Sequence, residues 1–158
     1  MSFMFVADVM LAKVARWLRI LGIRVESPEL KDDGEFIEYA KENKLILLTM
    51  DVELSKRARK QNVGIFLVPK KNLEEQLASI LKEFSIPLGK FPSETICPKC
   101  NGELKTAEKK DVEGRVQKKT FEEVDSFWEC RNCKHVFWEG SHTGRIRSAV
   151  RRIRDLME

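Results

Sequence analysis

The sequence predicts an α/β fold: a parallel sheet flanked by helices, followed by a small zinc-holding domain and a basic helix. Three observations carry this expectation. Short apolar runs alternate with amphipathic helical segments through the first half of the chain, and such alternation produces parallel strands joined by crossover helices. Single acids stand where several of those runs end. Two Cys-x-x-Cys pairs, Cys97/Cys100 and Cys130/Cys133, then follow in a stretch of different composition.

Residues 3–7 form a short apolar run that stops at Asp8 and read as a strand. Residues 10–21 have helical periodicity, with Leu11, Val14, Ala15, Leu18 and Leu21 on one stripe and Lys13, Arg16 and Arg19 largely outside it. Gly22 stops that helix, and residues 23–26 read as a second strand. Asp32-Asp33-Gly34-Glu35 opens a helix whose apolar face is Phe36, Ile37 and Ala40. Residues 45–48 are continuously apolar, the mark of a strand covered on both sides, and lead into Thr49-Met50-Asp51. The next helix turns Leu54 and Ala58 inward and exposes Lys56, Arg57, Arg59 and Lys60. Residues 63–68 read as another buried strand closed by Pro69, and Leu73, Leu77, Ile80, Leu81 and Phe84 line the helix after it. Residues 86–92, with two prolines and a glycine, read as a linker. Residues 95–138 suit turns and short strands around the cysteines, and residues 140–157 have a basic helical pattern. The expected division is 1–91, 92–140 and 141–158.

A chain of 158 residues with 42% hydrophobic content is enough for one modest domain and an appendage. No apolar run approaches the ~20 residues needed to span a bilayer, so no membrane role is expected. The first residues lack the charged-then-apolar pattern of a secretion signal, and the expected setting is cytoplasmic, where thiols stay reduced. The net charge of +4 permits nucleic-acid binding without demonstrating it. Its distribution is more pointed: Arg145, Arg147, Arg151, Arg152 and Arg154 crowd one segment, and Lys13, Arg16, Arg19 and Arg24 follow the first strand. Either cluster reads as a solvated helix face or as a phosphate contact.

The cysteine pairs resemble two zinc knuckles. Four thiolates suit tetrahedral zinc because soft sulfur matches the ion, and a full set of thiolates leaves no open position, so the expected role is structural. A reducing compartment argues against two disulfides, and duplication of the motif argues against a redox dithiol, which needs one pair. The gap between the pairs is long, and Val112-Glu113-Gly114-Arg115-Val116 within it reads as a hairpin turn in an extended arm. His135 and His142 are competing ligands that the set does not need.

Ligands of a parallel α/β sheet bind beyond the carboxyl ends of its strands. Asp8 and Asp51 follow two strands, and Asp33 opens the helix between them, so three acids from separate elements are expected to converge on one edge. Clustered carboxylates take hard cations such as Mg²⁺ or Mn²⁺, which activate water and stabilise in-line displacement at a phosphodiester. The same acids stand at helix starts, where Asp is a favoured N-cap, and Asp32 with Glu35 fits a capping box. Capping and metal binding therefore both remain open. Other acid-based chemistries fit less well. A dehalogenase-type phosphatase wants Asp-x-Asp, where this chain has Asp8-Val9-Met10. A phosphoacceptor domain wants an acidic pair before its first helix and a lysine after its last strand, and Lys70 comes too early. No glycine-rich phosphate loop occurs, and two histidines without a serine or cysteine partner do not make a triad.

The assembled motifs resemble a known family over nearly the full length. They are Asp8-Val9-Met10-Leu11, Ala15-Arg16-Trp17-Leu18-Arg19, Leu21-Gly22, Asp32-Asp33, Ala40 and Leu47-Leu48-Thr49-Met50-Asp51 with Leu54. Both cysteine pairs, Asp125-Ser126-Phe127-Trp128, and Trp138-Glu139-Gly140-Ser141-His142 with Arg145 complete the set. The chain resembles the PIN-like ribonuclease domain named after the C-terminal region of the Mut-seven exoribonuclease. The resemblance implies a PIN-like core followed by a zinc ribbon, and RNA cleavage with carboxylates and Mg²⁺ or Mn²⁺. It implies Asp8, Asp33 and Asp51 as metal ligands and Thr49 as a group that orients Asp51 or holds a water. Met50 stands where the family commonly has arginine, and Glu53 is the only substitute for a fourth acid. The implied RNA contacts are Lys13, Arg16, Arg19, His142 and Arg145, since an arginine fork donates two hydrogen bonds to phosphate. The expected function is a metal-dependent, endonucleolytic ribonuclease. The alternative is a non-catalytic RNA- or ribosome-binding adaptor that keeps the zinc ribbon and basic tail and uses the acids only as caps; a protein partner is the other use open to the tail.

Overall fold

The computed structural model describes residues 4–140 and 143–158. Strands β1 (Phe5–Ala7), β2 (Val25–Glu26), β3 (Ile46–Thr49) and β4 (Ile65–Leu67) form a wholly parallel sheet in the order β2-β1-β3-β4. Helices α1 (Ala12–Ile20), α2 (Asp33–Glu42), α3 (Val52–Lys60) and α4 (Leu73–Glu83) follow the strands in turn. The expected mixed α/β architecture is therefore present.

Strand alternation sorts the side chains into two cores. Phe5, Ala7 and Leu48 face α1 and α4, packing with Val14, Leu18, Leu77, Ile80 and Leu81. Val6 and Leu47 face the other way, onto Phe36, Ile37 and Ala40 of α2 and Leu54 and Ala58 of α3. With both faces covered, the two central strands carry no charged side chain. The run at 63–68 differs from expectation: only Ile65–Leu67 pair, and as an edge strand they stay partly exposed. The helix expected over 10–21 begins with a 3-10 turn at Val9–Leu11, capped by Asp8.

A second sheet is antiparallel: β5 (Leu104–Ala107), β6 (Phe127–Cys130) and β7 (Val136–Trp138), with β6 central. No hairpin arm occupies the long gap between the cysteine pairs. Two short helices, α5 (Lys109–Val112) and α6 (Lys118–Glu123), fill it, and Gly114 at φ +80° turns the chain between them. The reason is burial. Val112 packs with Phe127 and Val136, and Phe121 and Val124 close over them, so the segment folds back instead of extending.

Helix α7 (Thr143–Met157) is basic outside and apolar within. Val150 and Ile153 enter the first core beside α4, and Arg152 reaches Glu74 at 2.9 Å.

The link between the sheet and the first cysteine turn is polar and buried. Arg19, only 8% exposed, donates to the carbonyls of Val25 (2.9 and 2.5 Å) and Pro98 (2.8 Å) and to the Asn101 carboxamide oxygen (2.9 Å). That same oxygen accepts from the Val25 amide at 3.0 Å, and the Asn101 amide nitrogen donates back to the Val25 carbonyl. Asn101 thus occupies the open edge of β2 as a neighbouring strand would. The connecting segment also closes the end of α1. Ile96 donates its amide to the Arg19 carbonyl, and Thr95 donates its hydroxyl to the Ile20 carbonyl, pairing groups a helix end leaves unsatisfied. Gly22, at φ +88°, is required because a Cβ there would lie 2.7 Å from the Glu94 carbonyl oxygen.

Arg19→Ala and Asn101→Ala should each destabilise the protein by about 3 kcal/mol, since each leaves buried polar groups unpaired. In chemical denaturation the double variant should lose at least ~1 kcal/mol less than the sum of the singles. Additive losses would mean that the two side chains act separately.

Candidate active site and cysteine cluster

The sheet order β2-β1-β3-β4 reverses direction between β1 and β3, and the crevice beyond the carboxyl ends of such a pair is where α/β sheets take ligands. Asp8 follows β1 and Thr49 ends β3. Asp8 is 7% exposed and Thr49 fully buried. The Thr49 hydroxyl donates a short hydrogen bond to Asp8 Oδ2 and accepts from the Asp51 amide at 3.0 Å. One buried hydroxyl therefore holds the Asp8 carboxylate and the backbone of Asp51, and it does not touch the Asp51 carboxylate. Asp8 Oδ1 accepts from the Met10 amide at 3.0 Å. Asp51 caps α3 through Oδ1, which accepts from the amides of Glu53 and Leu54, and its Oδ2 has no partner among the described residues.

Asp33 is placed differently from its capping role. The N-cap of α2 is Asp32, whose Oδ1 accepts from the Glu35 amide at 2.9 Å, while Glu35 accepts from the Lys31 amide. Asp33 lies in the first turn, half exposed, 3.9 Å from Arg57 on α3. That loose ion pair brings it toward the helix that Asp51 caps. Among the described residues the three acids do not gather their oxygens within 4.8 Å of one another, as the cysteine sulfurs do. Exposed Val9, Met10 and Val52 stand beside Asp8 and Asp51 and give the edge an apolar rim. Met50 packs against the first core, and its sulfur accepts from Gln76 Nε2.

Of the expected RNA contacts, Lys13, Arg16 and Arg145 are exposed. His142 lies outside the described residues. Arg19 is a correction: it is buried, and its nitrogens are committed to Val25, Pro98 and Asn101, so it holds the fold together. Burial lowers its pKa below the ordinary value, and charge on Cys97 and Cys100 works in the opposite direction. Sequence reasoning missed Asn101. The available signal was its place between Cys100 and Gly102, where a knuckle needs a left-handed residue and Asn tolerates one.

The two cysteine turns share one backbone plan. Asn101 and Lys134, each directly after the second cysteine of its pair, have φ of 68° and 66°. In each turn that residue donates its amide to the carbonyl of the first cysteine, and the first cysteine donates its amide to the carbonyl one position further on, at Gly102 or His135. All four sulfurs lie within 4.8 Å of one another. The Cys97–Cys133 and Cys100–Cys130 separations are 3.7 and 3.4 Å. A disulfide requires about 2.05 Å, whereas sulfurs at ~2.3 Å around a tetrahedral zinc stand roughly 3.8 Å apart. The donor set, the spacing and the charge all fit a structural zinc ion. Burial pushes the Cys97 thiol up to about 12. At Cys100 burial acts the same way but is outweighed by hydrogen bonds from Asn132 and Cys130, and the thiol falls to about 6. A Cβ on Gly102 would lie 2.5 Å from Cys130 Sγ and 3.2 Å from Cys100 Sγ, so glycine is what leaves room for the cluster.

Fold and sites together define an α/β protein with an acidic sheet edge and a four-cysteine cluster that could hold a metal ion. The family model of the Mut7-C RNAse domain matches residues 3–150, and the chain belongs to that family. Nothing among curated proteins or solved structures matches. No helix among the described residues is long and apolar enough to cross a membrane.

Gly102→Ala should weaken zinc binding at least ~10-fold, as loss of support around a metal's ligands does. Chelator competition on the purified protein measures this. Gly114→Ala is the control, because φ +80° strains it while its Cβ meets nothing; it should cost about 1 kcal/mol of stability and leave zinc affinity unchanged.

Proposed function

We propose that this protein is a PIN-like, metal-dependent ribonuclease that hydrolyses RNA endonucleolytically, with Asp8, Asp33 and Asp51 holding Mg²⁺ or Mn²⁺. Membership of an RNase-domain family supports RNA as the substrate. The observation that carries the site is the buried Thr49 hydroxyl joining Asp8 to the backbone of Asp51 across the switch point. The donor set is hard oxygen, and Asp51 Oδ2 remains uncommitted. A bound divalent cation would supply charge stabilisation at the phosphoryl group and an activated water.

The chain's own residues do the positioning. Thr49 holds the Asp8 carboxylate in one rotamer, and the α3 amides hold Asp51 by its other oxygen. Lys13, Arg16 and Arg145 are exposed cations for backbone phosphates, and Val9, Met10 and Val52 offer apolar contact to bases and sugars. In this reading residues 1–91 are the nuclease domain, 92–140 a zinc ribbon that braces it through Asn101, and 141–158 a basic helix that adds phosphate contacts. A reducing, cytoplasmic setting suits four free thiols.

The adaptor reading draws on the capping bonds of Asp8 and Asp51. It does not account for Asp33, whose helix is capped by Asp32. The two separate on Asp51→Asn, since asparagine caps as well as aspartate. A panel of labelled RNAs is incubated with Mn²⁺, Mg²⁺ or EDTA. Metal-dependent cutting should fall to background in Asp51→Asn with stability kept within ~1 kcal/mol. Thr49→Val should lose roughly 10- to 100-fold, as loss of a group supporting metal ligands does. Cutting that survives both EDTA and Asp51→Asn would overturn the metal mechanism, and RNA binding without cutting in the wild type would favour the adaptor.

A further inference from the structure

A cavity of about 430 Å³ opens between α1, the start of α4 and α7, away from the carboxylates. It is lined by Lys13, Trp17, Glu74, Arg145, Ser148 and Arg152 among others. Helical spacing explains the lining. Lys13 and Trp17 are one turn apart on α1, and Arg145, Ser148 and Arg152 recur at three- and four-residue steps along α7. The same helices point Val14 and Leu18, and Val150 and Ile153, into the first core, so packing fixes the walls.

The charge is unbalanced. Arg152 donates from Nε and Nη2 to one oxygen of Glu74, which anchors the guanidinium and leaves Nη1 uncommitted among the described residues. Its hydrogen bond holds the Glu74 carboxyl below the usual range, so the anchor stays charged. Lys13 and Arg145 are exposed and make no hydrogen bond or ion pair among the described residues. Glu74, which also feels the Lys13 charge through space, is the single carboxylate set against the three cations Lys13, Arg145 and Arg152 in the lining, beside a half-buried indole. Cations that track phosphates next to an aromatic platform are how proteins hold a single strand.

Position ties the cavity to the acidic edge. Lys13 stands five residues after Asp8, on the first turn of α1, roughly 9 Å along the helix axis. Glu74 stands in the first turn of α4, which follows β4 and so begins at the same carboxyl end of the sheet as Asp51, while covering the face opposite α3.

We propose that this cavity is a second RNA subsite, taking a phosphate of the bound strand between Lys13, Arg145 and Arg152 and presenting Trp17 to the neighbouring base. It rests on the ribonuclease reading and adds where the strand leaves the acidic edge.

The test uses the full chain with zinc, in EDTA-free buffer with Ca²⁺ in place of Mg²⁺ or Mn²⁺, and fluorescently labelled single-stranded oligoribonucleotides read by anisotropy across a salt series. The Lys13→Gln/Arg145→Gln variant should bind about tenfold more weakly, and the slope of log affinity against log salt should fall by about 0.7, the one phosphate contact of the subsite. Trp17→Phe should keep the slope and lose affinity, a split that a merely structural tryptophan would not give. A strand with a 5′-phosphate is compared with its 5′-hydroxyl counterpart. Tighter binding that disappears in the variant assigns a terminal phosphate, and equal binding with the slope still reduced assigns an internal one. Unchanged affinity and slope in the double variant, with wild-type binding intact, would overturn the subsite alone. No RNA binding by the wild type would overturn the ribonuclease reading with it, and binding to a protein partner lost in the variant would reassign the surface.

Discussion

The buried guanidinium of Arg19 is the constraint on which the arrangement of this molecule turns. A cation taken out of water must have its donors answered, and the acceptors come from four residues: Val25 on the edge strand, Ser27 just after it, Pro98 in the first cysteine turn, and the Asn101 side chain. Pro98 and Asn101 are in position only when the first cysteine turn is closed. The geometry of that turn and the burial of a charge in an α/β core are therefore one condition. A metal-binding module joined only by a flexible linker would make no such demand.

The acidic edge is built on the same economy of shared groups. Thr49 sits where two central strands end, and its hydroxyl serves an acid from each connection. The capping bonds of Asp51 fall on one oxygen and leave the other uncommitted among the described residues, whereas Asp8 is held through both of its oxygens. Capping and ligation, which compete as explanations of an acid in a sequence, are compatible in the folded protein. A cap restrains the rotamer that a ligand needs.

Much of the sheet and its helices was legible because periodicity records burial directly. Leu11, Val14, Ala15, Leu18 and Leu21 announce one stripe, and all are buried. The cysteine cluster was legible from spacing. Arg19 was not, since a charged residue off the apolar stripe reads as solvated, and its partners Pro98 and Asn101 are some 80 positions away. Nor were α5 and α6. Single apolar residues at Val112, Phe121 and Val124 lack enough turns to show a period, and only the facing sheet reveals what they cover. The cap of α2 was legible in part: Asp32, which with Glu35 fits a capping box, does cap the helix, and Asp33 falls in the first turn.

Helix α7 has a consequence for synthesis. It covers Leu77, Ile80 and Leu81 of α4 with Val150 and Ile153, yet some sixty residues separate the two helices, a span that includes the entire cysteine module. A chain emerging from the ribosome N-terminus first completes its parallel sheet while that flank of the first core is still uncovered. The nascent protein passes through an interval with an apolar face open to water, and the interval ends only when a strongly basic helix arrives to close it.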